Sequence, residues 1–346
     1  MNARILLRII LPLFFSTSVM ATIEPMNVLF IGNSYTHYNN MPGIFQDIAV
    51  SKGVKINVEM SAKSNHTCKM HCAREELFEK INSKKWDYVV IQAFSRELGH
   101  DPAYLDTSFV PYFNRIIDSV YTNNACTNVL LYMTWGYKNG QKENPEMDTY
   151  QKMSDKIAQG YQYISDIYSL PIVPVGQVWE TISKNYKDIN LYVEDNQHPS
   201  IYGSFLIACS FYSAIFKATP KDGFISKGID TVSANIIQET VYNYISTNIE
   251  RYNLRKNTLG VKYETTSNGN FIANCKAYYP SATSVHWDFG DNSISDQSNI
   301  IHHYKKPGTY SVSLTVEEPC GKRIVLRKVY FKEVKKVVKK KSKKVK

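Results

Sequence analysis

Two short segments, far apart in the chain of 346 residues, hold the residue types that nucleophilic catalysis needs. Gly32, Asn33 and Ser34 follow an apolar run, and Asp195 and His198 lie three residues apart before an apolar helical stretch. An Asp at that spacing can orient the imidazole, and a Ser–His pair supplies a nucleophile and a general base for acyl transfer. Each segment alone also fits a turn serine or a capped loop. Together they predict a catalytic set of Ser34, His198 and Asp195.

The hydrophobic pattern predicts the scaffold that brings these segments together. Predicted strands cover residues 27–31, 55–60, 86–92, 128–133 and 172–175, and predicted helices cover 41–52, 74–82, 150–168 and 200–216. Short strands that alternate with helices indicate an α/β fold, in which helices cover both faces of a parallel sheet. Such sheets bind ligands at the carboxyl ends of their strands, which is where Ser34 would lie.

These residues resemble the SGNH/GDSL hydrolase superfamily, and in particular a subgroup of secreted bacterial proteins. The first superfamily motif is similar to FIGNS at 30–34, and the last is similar to DNQH at 195–198. The subgroup is indicated by VVIQ (89–92), YMTWG (132–136), PVGQVW (174–179) and DNQHPSIYGS (195–204). The resemblance covers the predicted domain at 22–218. It implies a flavodoxin-like three-layer fold with Ser34 as nucleophile, His198 as base and Asp195 as the partner of His198.

The chain departs from the superfamily pattern where the oxyanion hole would be completed. The superfamily supplies a Gly from a second motif and an Asn from a third. Asn65 stands where the Gly is expected, and its backbone N–H can still donate. Gln92 is the substitute for the missing Asn, because its side-chain amide is also a donor. A structural hydrogen bond is the alternative role for Gln92.

Two aromatic residues would lie on the same edge of the sheet as Ser34. Trp135 and Tyr137 come just after the fourth predicted strand. Aromatic side chains commonly line ligand pockets. We therefore predict that this pair lines an acyl or sugar pocket, with packing at the rim as the alternative.

The N-terminus carries the pattern of an export signal. Arg4 and Arg8 precede a short apolar run, and Val19 and Ala21 fit a cleavage site. We predict that residues 1–21 are a cleaved secretory signal peptide, with an uncleaved anchor as the alternative. The protein would then be secreted, periplasmic or at the cell surface.

The formal net charge of +10 belongs almost entirely to the two chain ends. Residues 332–346 hold nine Lys and one Glu, while residues 22–331 carry no net charge. A neutral body argues against a nucleic-acid-binding groove, and no nucleic-acid partner is predicted. The Lys-rich tail at 334–346 is predicted to be disordered and able to contact anionic surfaces, or else to be merely solvated.

An exported protein can form disulfides, so the six cysteines need an assignment. Cys275 and Cys320 are the predicted pair, and Cys209 is predicted to be a core thiol. A cluster of two His and two Cys comprises His66, Cys68, His71 and Cys72. Its spacing fits no closed zinc motif, so a disulfide or free thiols are preferred. No metal and no cofactor are predicted.

The C-terminal part changes to an all-β pattern after a predicted helical segment and linker at 219–259. The runs VHWDFGDN (285–292) and HHYKKPGTYSVSLTV (302–316) resemble the PKD domain. That resemblance implies a small immunoglobulin-like sandwich at 260–333, which acts as a spacer or as a binding surface.

The function expected from these features is that of a secreted serine esterase. Its predicted substrate is an acylated small molecule or polysaccharide, with an O-acetylated carbohydrate preferred because export and an added β-module suit extracellular polymers. One alternative is a non-catalytic surface or glycan-binding protein on a degenerate SGNH scaffold. The other is an acyltransferase that uses the same serine.

Overall fold

The structure is a computed structural model that describes residues 24–254, 272–276, 284–318 and 321–331. The predicted signal peptide at 1–21 and the Lys-rich tail at 334–346 lie outside the described residues. So does the end of the predicted linker, from residue 255 to 259. Within the described ranges, no helix has both the length and the apolar character that crossing a membrane requires.

A five-stranded parallel sheet forms the centre of the first domain, which confirms the predicted α/β class. Its strands are β1 (Met26–Gly32), β2 (Ile56–Ala62), β3 (Tyr88–Ile91), β4 (Asn128–Tyr132) and β5 (Ile172–Val173). They are ordered β2-β1-β3-β4-β5, and every neighbouring pair is parallel. The carboxyl end of β1 therefore lies between the ends of β2 and β3. That edge is where an open α/β sheet binds its ligand.

Helices connect these strands and cover the sheet. In the described part of the chain they are α1 (Ser34–His37), α2 (Met41–Ser51), α3 (Cys68–Cys72), α4 (Glu75–Asn82), α5 (Pro102–Ser108), α6 (Val110–Asn123), α7 (Tyr150–Tyr168), α8 (Val175–Asn185), α9 (Ile201–Phe216) and α10 (Thr231–Thr247). The pattern predicted α2, α4, α7 and α9 closely. It missed α6, whose Pro111 lies near the N-terminus, a position at which proline is compatible with a helix.

The core of this domain lies on both faces of the sheet. Residues 28–31 of β1 are buried, as are residues 203–215 of α9. Ser200 caps α9 by accepting the backbone N–H of Gly203 at 3.2 Å. The cap fixes the start of α9 directly after the segment that carries Asp195 and His198.

The C-terminal domain is all-β, as predicted. Its strands are β6 (Ile272–Lys276), β7 (Ser284–Asp288), β8 (Ile294–Ser295), β9 (Asn299–His303), β10 (Gly308–Glu318) and β11 (Gly321–Phe331). The described strands form an antiparallel sheet of order β11-β10-β7-β8 and an antiparallel pair β6-β9. Along β7, Val285 and Trp287 are buried while their neighbours are exposed. This alternation fits a sheet with one face on a core.

Four of the six cysteines have described side chains. Cys209 is a buried free thiol, as predicted, and Cys68 and Cys72 are also buried and free. Cys126 takes part in a disulfide. The predicted pair, Cys275 with Cys320, falls on side chains outside the described part of the chain. That pair stays a prediction.

Candidate active site

Ser34 is the first residue of α1 and follows the central strand β1 directly. The turn is tight at Gly32, where an added Cβ would lie 2.3 Å from Thr36 Oγ1 and 2.6 Å from Gln92 Oε1. Only glycine fits this close approach. Asn33 caps the helix, because its Oδ1 accepts the backbone N–H of Tyr35 at 3.0 Å. Strand and turn together place Ser34 at the carboxyl edge of the sheet.

The structure brings the three predicted catalytic residues together. His198 Nε2 lies 2.9 Å from Ser34 Oγ, and His198 Nδ1 lies 2.5 Å from Asp195 Oδ2. Because a carboxylate accepts, Nδ1 carries the ring proton and Nε2 is left to accept the proton of the serine hydroxyl. Ser34 is 7% exposed. The arrangement has the geometry of a nucleophile, a general base and an orienting acid.

The loop that holds His198 is built by Asp195 itself. Asp195 Oδ1 accepts the backbone N–H groups of Gln197 at 2.8 Å and His198 at 2.9 Å. Asn196 has a φ of 60°, a left-handed conformation that asparagine tolerates well. Burial raises the pKa of Asp195, but the hydrogen bonds from His198 and Gln197 outweigh this effect and hold the pKa below its usual value. Asp195 is therefore ionised at neutral pH.

Aromatic rings fix the position of the imidazole. Tyr38 stacks on His198 with ring centroids 4.5 Å apart and an angle of 15° between the planes. Tyr35 meets His198 edge to face at 5.5 Å. Neither tyrosine has a role that the sequence pattern predicted, although both lie within four residues of Ser34. Ser34 and the rings that pack against His198 thus come from one short segment.

The prediction that Trp135 lines an acyl or sugar pocket was wrong. Trp135 is 0% exposed and cannot line an open pocket. Its ring lies between those of Tyr35 and Trp179, at centroid distances of 4.4 Å and 3.9 Å. Its indole N–H donates to the carbonyl oxygen of Gln197 at 3.1 Å. Trp135 therefore supports the loop at 195–198 through this hydrogen bond.

The prediction that Gln92 donates to the oxyanion was also wrong. Both donors of its amide are already used, since Nε2 donates to Asn33 Oδ1 at 2.9 Å and to the Ala93 carbonyl at 2.7 Å. Its Oε1 accepts the backbone N–H of Asn33 at 3.0 Å and the Thr36 hydroxyl at 2.8 Å. Gln92 therefore positions the turn that carries Ser34, which is the alternative role stated above.

Asn65 and Tyr137 lie at the predicted edge of the sheet. Asn65 is exposed, with a φ of 59°, in the turn that follows β2. The neighbouring Ser64 contacts His37 at 2.9 Å, which links this turn to α1. The role of the Asn65 N–H in an oxyanion hole stays a prediction. Tyr137 is half-buried, and its hydroxyl contacts Ser95 Oγ at 3.0 Å, so it bridges the loops after β3 and β4.

The predicted cluster of His and Cys residues does not converge. His71 Nε2 donates to the carbonyl of Gly32 at 2.9 Å, and the Cys72 thiol donates to the carbonyl of Tyr112 at 3.1 Å. Among the described residues, no three His, Cys, Asp or Glu side chains are grouped so that they could hold a metal ion. Burial, followed by the nearby charge of Arg74, lowers the pKa of His71 to about 4. A neutral His71 therefore supports the strand end just before Ser34.

The comparisons with known proteins agree with this fold. Residues 263–329 match the family model of the PKD domain. A DUF4886 family protein from Bacteroides uniformis ATCC 8492 is 17% identical and aligns over 64% of this chain and 95% of its own, with a TM-score of 0.53. At this identity the likeness shows the fold. No curated protein matches the chain.

Two further solved structures are similar to part of this chain. A putative SGNH hydrolase from Slackia heliotrinireducens is 22% identical over 54% of this chain and 97% of its own, with a TM-score of 0.45. An acetyl xylan esterase, AlAXEase, is 17% identical over 55% of this chain and 100% of its own, with a TM-score of 0.42. The predicted PKD-like domain agrees with the matched family model, and the solved structures agree with the predicted α/β fold.

Proposed function

We propose that this protein is a serine esterase that removes O-acyl groups by a Ser-His-Asp mechanism. The observation that carries the proposal is the chain of contacts from Ser34 Oγ through both nitrogens of His198 to Asp195, at 2.9 Å and 2.5 Å. Hydrogen bonds from two backbone N–H groups and the imidazole keep Asp195 ionised, as a partner for an imidazolium must be.

The mechanism follows from this geometry. Ser34 Oγ attacks the ester carbonyl while His198 Nε2 takes the hydroxyl proton, and a tetrahedral intermediate forms. His198 then gives that proton to the alcohol oxygen as the ester C–O bond breaks, leaving an acyl group on Ser34. A water molecule, deprotonated by His198, releases the acid in a second round. The backbone N–H of Ser34 is available to the oxyanion, because the first residue of a helix has no acceptor within the helix.

We further propose that the acyl group is acetyl, that it is carried by a carbohydrate, and that the protein acts outside the cytoplasm. The export signal predicted at 1–21 and the C-terminal PKD-like module support this assignment. Both are typical of proteins that work on extracellular polymers, so this step is an argument from context. The Lys-rich tail is a proposed contact to anionic surfaces and has no part in the chemistry.

Hydrolysis of p-nitrophenyl acetate by the wild type and by Ser34→Ala tests the chemistry. The mature chain should show turnover that falls by at least about 10³-fold in Ser34→Ala, because removal of the nucleophile leaves only residual catalysis. Ser246→Ala, at an exposed serine of α10 away from the candidate site, is the matched control. Equal rates in the wild type and Ser34→Ala would contradict the proposal. Mass spectrometry of acetylated oligosaccharides, with the same variants, then identifies the polymer.

A non-catalytic binding protein is the competing function, and one observation favours it. Gln92 is committed to the turn that carries Ser34, so the side-chain oxyanion donor usual in the superfamily has no replacement at that position. A binding protein would leave p-nitrophenyl acetate intact while retaining affinity for glycan. Turnover that depends on Ser34 excludes this function.

A further inference from the structure

A cavity of about 410 Å³ lies between the loops that follow β2 and β3. Residues after β2 contribute Lys69, residues after β3 contribute Arg96 and Glu97, and α5 contributes Tyr104. Because β1 lies between β2 and β3 in the sheet, these loops flank the strand end that carries Ser34. The cavity therefore lies at the same edge of the sheet as the proposed catalytic centre, and neither Ser34 nor His198 is part of its lining.

The cavity presents two cations that have no charged partner among the described residues. Lys69 and Arg96 are exposed, and in the described ranges neither side chain forms an ion pair or a hydrogen bond. Glu97 is the only carboxylate among the described residues that line the cavity, and its oxygens accept backbone N–H groups of other residues. Its Oε1 accepts the N–H of Cys68 at 3.0 Å, and its Oε2 accepts the N–H of Phe94 at 3.0 Å. Burial also raises the pKa of Glu97 to about 7, which reduces its negative charge at neutral pH.

Aromatic rings line the same cavity. Tyr104 is 51% exposed, and its ring lies 4.4 Å from that of His100. Lys69 Nζ lies 5.6 Å from the centre of the Tyr112 ring, and the Arg96 guanidinium lies 5.6 Å from the centre of the Phe94 ring. Cation–π contacts at this distance hold the two charged groups near the cavity wall while their donors remain available. An exposed ring beside unpaired cations offers both an apolar platform and anchors for an anion.

We propose that this cavity is a subsite for a negatively charged sugar of the substrate chain, with Lys69 and Arg96 binding the sugar carboxylate and Tyr104 packing against the pyranose ring. The proposal rests on the proposed function, which it narrows to acylated anionic carbohydrates. A uronic acid fits because its planar carboxylate matches the guanidinium fork. A neutral sugar would leave both cations without a partner.

Binding of trigalacturonic acid to the full-length chain tests the subsite without any turnover. Isothermal titration calorimetry is carried out on the Ser34→Ala background, so a failure of the catalytic proposal leaves this measurement intact. The variants are Lys69→Gln/Arg96→Gln and Tyr104→Ala. The control is Lys55→Gln/Lys227→Gln, which removes two exposed cations that do not line the cavity. The fully methyl-esterified trimer is the matched neutral ligand.

We expect the Lys69/Arg96 double variant to bind the trimer at least about tenfold more weakly than the parent, and the control to bind it equally well. Added salt should weaken binding to the parent, since the contacts are partly exposed. The methyl ester should bind more weakly than the acid. Equal binding of acid and ester, or of the double variant and the parent, would overturn the proposal. If the double variant binds as well as the parent because the C-terminal lysines hold the trimer, the proposal is overturned in the same way.

Discussion

Gln92 and Asn33 are joined by two hydrogen bonds that run in opposite directions. The backbone N–H of Asn33 donates to Gln92 Oε1 at 3.0 Å, and Gln92 Nε2 donates to Asn33 Oδ1 at 2.9 Å. The pair ties the end of β3 to the residue that precedes Ser34. Buried polar groups that satisfy one another in this way favour a single conformation. The nucleophile is thus positioned from the neighbouring strand as well as by its own turn.

Replacing Gln92 with Ala should loosen the nucleophile. The change leaves the N–H of Asn33 and the hydroxyl of Thr36 without their buried acceptor, which costs about 1–3 kcal/mol of unfolding free energy per group. We expect kcat for p-nitrophenyl acetate to fall by about tenfold or more, since small displacements of a reacting group are costly. Gln159→Ala, at an exposed glutamine of α7, is the control. A variant with unchanged kcat would show that Gln92 has no positioning role.

His71 should support the nucleophile through the hydrogen bond from its Nε2 to the Gly32 carbonyl. His71→Ala removes the donor to the Gly32 carbonyl and should lower kcat with little change in KM, while His71→Gln should restore part of the loss. The pKa of His71 is lowered to about 4 in the folded protein, so it contributes stability that is present above its unfolded value of 6.5. That stability is lost as the pH falls from 6.5 through 4. Unfolding measured across this window should depend less on pH in His71→Gln than in the wild type.

Trp135→Phe tests the support beneath the catalytic loop. The substitution keeps a ring in the stack but removes the indole N–H that donates to Gln197. We expect a loss of about 1–3 kcal/mol in stability and a drop in kcat, because the loop that carries His198 is released. Trp179→Phe shrinks the neighbouring ring of the same stack and controls for lost packing. If kcat falls equally in Trp135→Phe and Trp179→Phe, loss of the hydrogen bond to Gln197 is not the cause of the fall.

Glu97 should make the protein less stable as the pH rises. Burial raises its pKa from 4.5 to about 7, so its contribution to stability is fully present below 4.5 and is lost as the pH rises through 7. Glu97→Gln should remove this component from urea unfolding curves recorded at several pH values. Glu79→Gln, on the exposed face of α4, is the control. A slope that is the same in the wild type and Glu97→Gln would contradict the assignment.

The sequence was sufficient to predict that Ser34, Asp195 and His198 lie together, because the geometry of each segment is local. Gly32 directly precedes the Asn33–Ser34 turn, and a spacing of three residues lets Asp195 reach both the backbone and the ring of His198. The order of strands and helices similarly predicted a parallel sheet. Register and neighbours in the sheet came only from the structure, since they depend on contacts between distant segments.

The roles of Gln92 and Trp135 could not be predicted in the same way. A residue at a strand end is known to lie at the edge of the sheet, but the pattern does not show which way its side chain points. Gln92 points towards Asn33, and Trp135 points into the stack with Tyr35. The short helix α1 gave no periodic signal, because four residues make barely one turn.

The most direct test of the central claim is covalent labelling by a fluorophosphonate probe, followed by peptide mapping. An activated serine displaces fluoride and forms a stable phosphonyl ester, whereas an inert serine does not react. We predict one label per chain at Ser34 in the wild type, and none in Ser34→Ala or His198→Ala. A wild-type chain that stays unlabelled, or a label on another residue, would contradict the assignment of Ser34 as the nucleophile.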